Sequence, residues 1–499
     1  MKSSPLYPYM ERVDNFTKDK PQIGMFVFYG GGKTYMSLKW LERLYEAQRP
    51  IFPVLVITMG TLINQWGTEI TKHCSRKFSL IQGNTNNRLK ALESYAEIYV
   101  LNYDIIRSPK VRYALEHLHF RTVIADESVM LKEARTARFK AWRKILKATP
   151  FRALLTAKPI MEYTTDIWAQ MLFLDGGRTL GTSFWAFRYK YFDPGPPWDP
   201  YKWTLKEGAG ETIAKLLNHT CIQIKQEEIA DQLPPRIPNP VYFKMPSATQ
   251  KLYKELNDEF AVTLPSGHKY ETKWAMGKAS KMHQLCQGFM YLSAWKDRWV
   301  YDVGVHAILN GTCYICNEKH RSSLDNKPPY AVCWTRTEAN WEDIDHVKLN
   351  WLEENLSLIV DSGPVLVWSC FKAMQYRIAK LLGKMGMHFG CIRSKLTQQE
   401  RTAVVNGFNS GSYDILLLAQ QVAAPGLNLQ RANHAIFTCT DFKAALRENA
   451  EMRCLRLGSE IHECITYTDL LMENSIDTIV QEAIRDKLDV AEQVLKYLQ

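Results

Sequence analysis

Short apolar segments alternate with amphipathic helical patterns in two separate blocks of this chain. Strands of a parallel sheet are buried on both faces and therefore appear as nearly continuous apolar runs, with a helix between successive strands. The strand-like segments are residues 54–58, 97–103, 121–127 and 153–157 in the first block and 365–370, 415–419, 435–439 and 463–468 in the second. The sequence therefore predicts an α/β protein with two parallel-sheet lobes.

The region between the two blocks has a different composition and is predicted to be a helical and irregular insertion. It is rich in Trp, Tyr, Lys and Pro, and the closely spaced prolines at 233–240 predict a hinge or linker. The predicted domains are a first lobe at 1–165, a helical insertion at 166–232, a linker with a second-lobe insertion at 233–345, and a second lobe at 346–499.

Composition and charge limit the class of protein. The 499 residues are 46% hydrophobic and contain no apolar run of about eighteen residues, so the sequence predicts no membrane span. The amino terminus lacks an apolar signal core, which predicts a cytoplasmic protein without a secretion signal. The chain has 63 basic and 52 acidic residues, a net charge of +11, which is compatible with a polyanionic partner.

The run FVFYGGGKT, at residues 26–34, combines a short apolar strand with three glycines and a Lys-Thr pair, and a helical pattern follows it. This arrangement is typical of a phosphate-binding loop. Backbone N–H groups at Gly30, Gly31 and Gly32 can surround a β-phosphate, the Lys33 ammonium can reach the β and γ oxygens, and the Thr34 hydroxyl can bind Mg²⁺. An ordinary glycine-rich turn is the alternative interpretation.

An acidic pair, Asp126 and Glu127, follows the strand-like segment RTVIA. At the end of a strand in the same sheet as the glycine loop, Asp126 would hold Mg²⁺ through water, and Glu127 would orient or deprotonate the attacking water. An acidic pair after an apolar strand is also common at a helix N-terminus or in a solvated loop. The presence of the glycine loop upstream favours nucleotide hydrolysis.

Two arginines near the end of the second block, Arg453 and Arg456, are three residues apart. They would lie on one face of a helix if that segment is helical, and their guanidinium groups could then reach a γ-phosphate. A solvated basic helix face is the alternative for this segment taken alone.

An ordered series of motifs over nearly the whole chain resembles the Swi/Snf-like translocases of the superfamily 2 helicases, including their compact phage-encoded members. The matching segments are LYPYM (6–10), GGGKT (30–34), VLVITMGTLINQWGTEI (54–70), VLNYD (100–104), DESVMLK (126–132), LLTAKPI (154–160), PVLVWSCF (364–371), AAPGLNLQRA (423–432) and ENAEMRCLRLG (448–458). The closing segment, 475–495, is similar to the family's terminal brace helix.

The resemblance implies two RecA-like lobes that bind ATP and Mg²⁺, hydrolyse ATP and move along DNA. It implies that Tyr9 lies in the adenine-recognising segment and that the catalytic groups are Lys33, Glu127, Arg453 and Arg456. By the same resemblance, a further set contacts nucleic acid or couples it to hydrolysis: Lys132, Thr156, Gly426 and Asn428. A turn glycine, a capping Asn and a surface Lys are equally ordinary interpretations of three of these.

Several positions depart from the family pattern. Met10 stands where a Gln reads adenine, Met59-Gly60 where a Pro-Lys pair is expected, Ala157-Lys158 in place of Gly-Thr, and Asn449 in place of Gln. These departures put nucleotide selectivity and the coupling of hydrolysis to movement in question, and they remove no hydrolytic group.

Cys313, Cys316, His320 and Cys333 are four residues of the types that bind zinc. Their spacing fits no common zinc finger, and a pair of buried thiols is the commoner outcome.

The sequence thus favours an ATP-dependent DNA translocase or helicase that acts on duplex or branched DNA. An RNA-directed helicase of the same architecture and a nucleic-acid-binding ATP sensor remain alternatives. A metabolic α/β enzyme with a phosphate loop would leave the closing arginines unexplained.

Overall fold

The computed structural model describes residues 7–160, 164–195, 203–229, 233–272, 275–292, 303–309, 312–313, 330–334, 341–393, 396–422, 427–442, 444–456, 458–482 and 484. These residues belong to two compact units, which divide between residues 232 and 233.

The first unit contains a seven-stranded parallel sheet. Its strands are β1 (Gln22–Val27), β2 (Val54–Thr58), β3 (Phe78–Leu80), β4 (Ile98–Asn102), β5 (Thr122–Asp126), β6 (Phe151–Thr156) and β9 (Cys221–Ile224), in the order β3-β4-β2-β5-β6-β1-β9. A separate antiparallel pair is formed by β7 (Phe192–Pro194) and β8 (Trp203–Leu205). Because every neighbouring pair in the large sheet is parallel, the carboxyl ends of its strands lie along one edge.

The helices of the first unit connect these strands and cover both faces of the sheet, as parallel strands require. They are α1 (Pro8–Thr17), α2 (Lys33–Glu46), α3 (Ile63–His73), α4 (Thr85–Glu93), α5 (Pro109–His117), α6 (Ala137–Ile145), α7 (Asp166–Asp175), α8 (Phe184–Tyr191) and α9 (Ala209–Leu217). A buried cluster that includes Leu154, Trp142 and Phe173 joins strand and helix side chains into one core.

The second unit contains a six-stranded parallel sheet. Its strands are β10 (Arg236–Phe243), β18 (Val365–Ser369), β19 (Phe389–Ile392), β20 (Ile415–Ala419), β21 (His434–Phe437) and β22 (Ile465–Met472), in the order β10-β22-β21-β18-β20-β19. The smaller strands are β11 (Ala261–Thr263), β12 (Lys269–Glu271), β13 (Phe289–Tyr291), β14 (Val303–Leu309), β15 (Thr312–Cys313), β16 (Tyr330–Trp334) and β17 (Trp341–Asp343).

The helices of the second unit are α10 (Ser247–Glu259), α11 (Ala275–Leu285), α12 (Val347–Ser362), α13 (Lys372–Lys384), α14 (Gln398–Asn409) and α15 (Ala444–Glu451). The Thr397 side chain caps α14 together with Glu400 in a reciprocal pair of hydrogen bonds. Val367, Leu417 and Ile436, from three neighbouring strands, are fully buried in the core of this unit. Residues 476–482 are helical, and the rest of the predicted brace helix lies outside the described residues except for residue 484.

The prediction of two parallel-sheet lobes is confirmed, with two local differences. Residues 221–224, predicted as part of an insertion, form the edge strand β9 of the first sheet. The linker predicted at 233–240 is wrong from Arg236 onward, because β10 pairs with β22 along its whole length. Pro238 and Pro240 are tolerated there since β10 lies at the sheet edge, where one side of the strand needs no hydrogen-bond donor.

Within the described ranges, the structure contains no helix that is both long enough and apolar enough to span a membrane.

Candidate nucleotide site

The glycine loop lies between the end of β1 at Val27 and the start of α2 at Lys33. Gly30 and Gly32 have φ angles of 73° and 77°, in the left-handed region that favours glycine. A Cβ atom on Gly31 would lie 2.6 Å from Val27 Cγ1, and one on Gly32 would lie 2.8 Å from Met10 Cε. The loop therefore requires glycine at these positions, and its backbone N–H groups are not shielded by side chains of their own.

Lys33 and Thr34 form the first turn of α2, where backbone N–H groups have no partner within the helix. Lys33 Nζ lies 3.1 Å from the carbonyl oxygen of Val27 and donates a hydrogen bond to it, so the lysine side chain spans the loop. Thr34 is half-buried. The helix N-terminus and the ammonium group together make this loop electropositive, which suits a phosphate.

Tyr9, on α1, is buried and supports the loop from behind. Its hydroxyl group lies 3.4 Å from the carbonyl oxygen of Gly31. Burial, and then the neighbouring Tyr7, raises the pKa of Tyr9, so the phenol remains a neutral donor. Contact between Tyr9 and an adenine base stays a prediction.

Asp126 is the last residue of β5 and is buried. Its Oδ2 accepts hydrogen bonds from Thr58 Oγ1 at 2.9 Å and from Trp66 Nε1 at 2.8 Å. These two donors fix the orientation of the carboxylate, and the sequence analysis missed both. Their positions in the chain could have indicated them, because Thr58 is the last residue of β2, the strand next to β5, and Trp66 lies on α3, the helix that follows β2.

Glu127 has a φ angle of 51°, in the left-handed region where a glutamate is uncommon. Its N–H lies 3.1 Å from Asp126 Oδ1, and it precedes a 3₁₀ turn at Ser128–Leu131. Tyr103 donates a hydrogen bond of 2.8 Å to the carbonyl oxygen of Asp126, which holds the backbone just before this conformation. Strained backbone of this kind is concentrated at functional sites.

The sheet brings the loop and the acidic pair to the same edge. Strand β6 lies between β1 and β5, with Phe26 opposite Thr156 and Asp126 opposite Leu155. Adjacent strands are about 4.8 Å apart, so β1 and β5 are separated by about 10 Å. This separation is suited to a triphosphate and a metal ion between the loop and the carboxylates.

Ser128 is connected to the end of β6 through a buried side chain that the sequence analysis missed. Ser128 Oγ donates a hydrogen bond to Gln170 Oε1 at 2.8 Å, and Gln170 Nε2 donates to the carbonyl oxygen of Pro159 at 2.5 Å. Thr156, buried at the end of β6, donates to the carbonyl oxygen of Lys158 at 3.2 Å. A glutamine in an apolar helical pattern gave no signal of this role.

Lys132 lies after the 3₁₀ turn and forms an ion pair with Asp166, with 3.8 Å between Nζ and Oδ2. Asp166 is the first residue of α7 and is buried. The structure thus gives Lys132 a partner within its own unit, and contact with nucleic acid stays a prediction.

In the second unit, the helix expected to carry both Arg453 and Arg456 ends at Glu451. The segment that carries Arg453 and Arg456 is not helical, so the condition under which they would share a helix face is not met. The N–H of Arg453 donates to the carbonyl oxygen of Ala450. Arg453 Nε donates to the carbonyl oxygen of Asn449, which would accept from the Arg453 N–H if the α-helix continued. Arg456 is half-buried, and its Nη1 lies 3.1 Å from the carbonyl oxygen of Leu427.

A third arginine, Arg447, lies on α15; it was not singled out in the sequence and anchors this region. It is buried, forms ion pairs with Asp469 and Glu451, and lies over the ring of Phe437, with Cζ 3.5 Å from the ring centroid. Asn428 is exposed, and its carbonyl oxygen accepts a hydrogen bond from Asn409 Nδ2 at 3.0 Å. Gly426 lies outside the described residues.

The zinc set predicted from the sequence falls largely outside the described residues. Cys316 and His320 are not described, and for Cys313 and Cys333 only the strands β15 and β16 are.

A different set of metal-binding residue types comes together in the second unit. His283, Cys370 and Cys439 have ligand atoms within 4.8 Å of one another. The two Sγ atoms are 2.7 Å apart, whereas two thiolates on one tetrahedral zinc would be separated by about 3.8 Å. The arrangement therefore favours a closely spaced thiol pair over a zinc site. No sequence pattern indicates this set, because the three residues are far apart in the chain.

The fold and the site together define the class. A parallel sheet with a phosphate-binding glycine loop and a carboxylate pair at one edge is that of a phosphate-loop ATPase, and the positive N-terminus of α2 with Lys33, together with the oriented Asp126, fits a nucleotide with Mg²⁺.

Comparison with known protein families agrees with this class. Residues 29–295 match the SNF2-related domain, and residues 347–458 match the helicase conserved C-terminal domain. The chain belongs to the SNF2-related family, and its two domains are those of a nucleic-acid-dependent ATPase of superfamily 2.

Known proteins resemble the chain over most of its length. The TATA-binding protein-associated factor BTAF1 of Arabidopsis thaliana is 24% identical over 89% of this chain. The putative protein p41 of Acyrthosiphon pisum secondary endosymbiont phage 1 is 25% identical over 86% of it. The human DNA annealing helicase and endonuclease ZRANB3 is 27% identical over 92%.

The match covers very different shares of these relatives: 22% of BTAF1, 37% of ZRANB3 and 84% of the phage protein. A solved structure, the Sulfolobus solfataricus SWI2/SNF2 ATPase core in complex with dsDNA, is 17% identical and aligns with a TM-score of 0.42. That alignment covers 98% of this chain and 93% of the other.

Proposed function

We propose that this chain is an ATP-dependent DNA translocase, which couples ATP hydrolysis to movement on, or remodelling of, duplex or branched DNA. The observation that carries the proposal is the glycine loop and acidic pair at one edge of the first sheet, in a chain whose second unit matches a helicase C-terminal domain. A metabolic phosphate-loop enzyme would not require that second domain.

In this function, ATP supplies the free energy when its γ-phosphate is transferred to water. Lys33 and the N–H groups of the loop bind the phosphates, and Thr34 and Asp126 would hold Mg²⁺, Asp126 through water, which would offset the negative charge of the phosphates. Glu127 orients the attacking water and accepts its proton. Thr58 and Trp66 keep the Asp126 carboxylate in place by their hydrogen bonds to Oδ2.

Arg453 and Arg456 stabilise the charge that develops on the γ-phosphate, the role that the family resemblance implies for them. Lys132, Thr156, Gly426 and Asn428 are proposed to contact nucleic acid or to transmit the nucleotide state. Thr156 donates to the carbonyl oxygen of Lys158, the residue before Pro159, and Pro159 is joined through Gln170 to Ser128; this proximity supports a transmitting role for the segment that begins at Thr156.

The net charge of +11 and the name of the human relative, a DNA annealing helicase, support DNA as the partner. Contacts to phosphates do not read base sequence, so we expect a preference for DNA structure over sequence. The phage relative suggests that the protein acts in the cytoplasm of a host cell.

One alternative is supported by specific positions. By the family resemblance, Met59-Gly60 lacks a likely phosphate contact and Ala157-Lys158 alters the segment that relays the nucleotide state. Together with Asn449, these departures would suit an ATP sensor that binds nucleic acid without stepping along it.

The test is ATP turnover measured without nucleic acid and with single-stranded DNA, blunt duplex, forked DNA and RNA. We expect stimulation by duplex or forked DNA, together with ATP-dependent displacement of the third strand from a DNA triplex. Lys33→Ala should abolish both activities, and Lys90→Ala, an exposed lysine on α4, should leave them intact. Stimulation by RNA alone would indicate an RNA helicase, and DNA binding without displacement would indicate a sensor.

A further inference from the structure

An exposed group of aromatic rings and arginines lies on the first unit. We call it the aromatic platform and define it as Arg135, Trp185, Arg188, Tyr189 and Trp203. Trp185 and Tyr189 are 48% and 58% exposed, although both are large and apolar. They are four residues apart on α8 and so lie on one face of the helix.

The opposite face of α8 anchors the helix to the core. Phe187 and Tyr191 are 2% and 5% exposed and belong to the main hydrophobic cluster of the unit. Because these two residues already attach the helix, burial in the fold does not account for the outward rings of Trp185 and Tyr189. Exposed apolar groups bordered by charged residues are typical of interaction sites.

The platform rings hold one another in place. The ring of Trp203, on β8, is 5.2 Å from that of Tyr189 at 74° and 6.5 Å from that of Trp185. The rings of Trp185 and Tyr189 are 6.1 Å apart. Rings in mutual contact lose little further freedom when a ligand stacks on them, which reduces the entropic cost of binding.

Two guanidinium groups border the rings. Arg188 Cζ lies 4.1 Å from the centroid of the Trp203 ring, and Arg135 Cζ lies 5.8 Å from that of Trp185. In the part of the chain that the structure describes, neither arginine forms an ion pair with a carboxylate, and Arg188 Nε has no hydrogen-bond partner. Two positive charges without counter-ions favour an anion at this surface.

We propose that the aromatic platform binds unpaired nucleobases of single-stranded DNA, such as those at the fork of a partly opened duplex. This inference rests on the proposed DNA-directed function. Bases inside a duplex cover one another's faces, so only unpaired bases can stack on Trp185 and Tyr189. Arg135 and Arg188 would meet the phosphates of the same strand, and stacking of this kind is tolerant of base sequence.

The platform is joined to the candidate site by a short stretch of chain. Arg135 follows the 3₁₀ turn at Ser128–Leu131, which begins directly after Glu127. A strand bound at the platform would therefore act on the segment that positions the predicted water-activating carboxylate.

The test measures binding of fluorescein-labelled oligo-dT, of a fork with unpaired arms and of a blunt duplex by anisotropy. For the double variant Trp185→Ala/Tyr189→Ala we expect binding to the oligo-dT and the fork to weaken about 10-fold or more, because stacking contributes ~1–3 kcal/mol per base. Binding to the blunt duplex should change less than about 2-fold. Tyr113→Ala, which removes a ring that is 67% exposed on α5, is the matched control.

A stacking role also predicts that Trp185→Phe retains most of the affinity and that 2-aminopurine in the fork arm is quenched by the unmodified protein and not by the double variant. An unchanged affinity for oligo-dT would overturn the proposal. An equal loss for all three DNAs would overturn it as well, since it would indicate a general phosphate contact. Circular dichroism of the double variant verifies that it is folded.

Failure of this inference is distinguishable from failure of the proposed function. Stimulation of ATP turnover by blunt duplex does not require the platform and should survive in the double variant. If no DNA stimulates ATP turnover by the unmodified protein while oligo-dT still binds at the rings, the translocase function is wrong and the proposed binding of unpaired bases by the aromatic platform is retained. If duplex stimulation is normal and the double variant alters only self-association of the chain, the platform is a protein contact and the inference is wrong.

Discussion

The hydroxyl group of Ser128 lies 2.8 Å from the side-chain oxygen of Gln170, and both residues are completely buried. Gln170 also donates to the carbonyl oxygens of Pro159 and Asp166. A single amide side chain thus connects the segment after the predicted catalytic carboxylate to the segment after β6. A change in either segment must alter these hydrogen bonds or be transmitted through them.

Replacement of Gln170 by Met should therefore weaken the communication between the two segments. It leaves the Ser128 hydroxyl and the carbonyl oxygen of Pro159 without their partner, while the carbonyl oxygen of Asp166 keeps its hydrogen bond within α7, and it should lower the free energy of unfolding by about 1–3 kcal/mol. We expect stimulation of ATP turnover by DNA to fall several-fold more than turnover without DNA. Steady-state ATPase assays with and without duplex, together with denaturant unfolding, measure the two effects.

The matched control is Ser79→Ala, which removes a hydroxyl that donates to the carbonyl oxygen of Ala91 elsewhere in the same unit. A proportional loss of stimulated and unstimulated turnover in Gln170→Met would mean that the amide only stabilises the fold.

Glu127→Gln should permit ATP binding and slow hydrolysis by orders of magnitude. The amide keeps the size of the side chain and cannot accept a proton from water, and general base catalysis typically contributes about 10²–10⁴-fold. Rapid-quench measurement of phosphate release, with ATP affinity measured in parallel, tests this expectation. Glu133→Gln, a change at an exposed position shortly after, should behave as the unmodified protein, and rapid turnover in Glu127→Gln would remove Glu127 from the mechanism.

Arg456→Ala should lower ATP turnover by ~10³-fold or more if its guanidinium acts on the γ-phosphate. The alternative is that Arg456 only stabilises the fold, because its Nη1 donates a hydrogen bond to the carbonyl oxygen of Leu427. Arg456→Lys keeps the positive charge and loses the planar guanidinium group. If Arg456 acts on the γ-phosphate, ATP turnover in this variant should therefore stay far below that of the unmodified protein. A loss smaller than 10-fold in Arg456→Ala, with normal ATP affinity, would assign the residue to packing.

Much of the fold could be predicted because the signals were local. All eight strand-like segments correspond to strands of the two sheets, and the phosphate loop begins and ends as its glycines and Lys-Thr pair indicate. The strand at Arg236–Phe243 was missed because proline is excluded from the middle of a sheet, so its prolines predicted a linker. The sequence does not reveal that this strand lies at the sheet edge, where proline is tolerated.

The motifs correctly placed Lys33, Asp126 and Glu127 at one edge of the first sheet, and the roles of these residues in hydrolysis stay predictions. Lys33, Asp126 and Glu127 carry functional groups that few other residues could supply. Thr58, Trp66 and Gln170 act only through hydrogen bonds formed by folding. The end of α15 at Glu451 was also missed, because the sequence does not show that Arg453 Nε takes the Asn449 carbonyl oxygen, a local contact that competes with the helical hydrogen bond.

Acid should destabilise the second unit through His434. Burial lowers the pKa of His434 to about 4, below the value of about 6.5 for an unfolded histidine, so the unfolded chain takes up the proton first as the pH falls. The stability present above pH 6.5 is therefore lost toward pH 4. Between pH 7 and pH 5 the loss is about 2 kcal/mol.

Urea unfolding of the protein at pH 7 and pH 5 measures this effect. His434→Gln should retain a hydrogen-bonding group near Thr468 Oγ1, which lies 2.8 Å from His434 Nε2, and should show a smaller difference between the two pH values. His268→Gln, at an exposed position, should keep the full difference. An identical pH dependence in His434→Gln would show that other groups account for the acid sensitivity.

The thiols of Cys370 and Cys439 should form a disulfide bond more readily than the other cysteines of the described residues. Their Sγ atoms are 2.7 Å apart, at the ends of the neighbouring strands β18 and β21. Burial and the hydrogen bond with Cys439 raise the pKa of Cys370, whereas the hydrogen bonds from Cys370 and Ser369 hold the pKa of Cys439 below its usual value in spite of burial, so Cys439 is the thiol of the pair that ionises first. A thiolate therefore forms there more easily, and it is the reactive species in disulfide exchange.

Oxidised glutathione is the appropriate reagent. One thiolate displaces a glutathione, the second thiol displaces the other, and the protein gains one disulfide while two molecules of reduced glutathione are released. Peptide mapping should find the Cys370–Cys439 link, and Cys439→Ser should prevent it, whereas Cys391→Ser, at another buried free cysteine, should not. If the purified protein instead contains one zinc per chain that is lost in Cys439→Ser, the two sulfurs and His283 bind metal, and the thiol-pair interpretation is wrong.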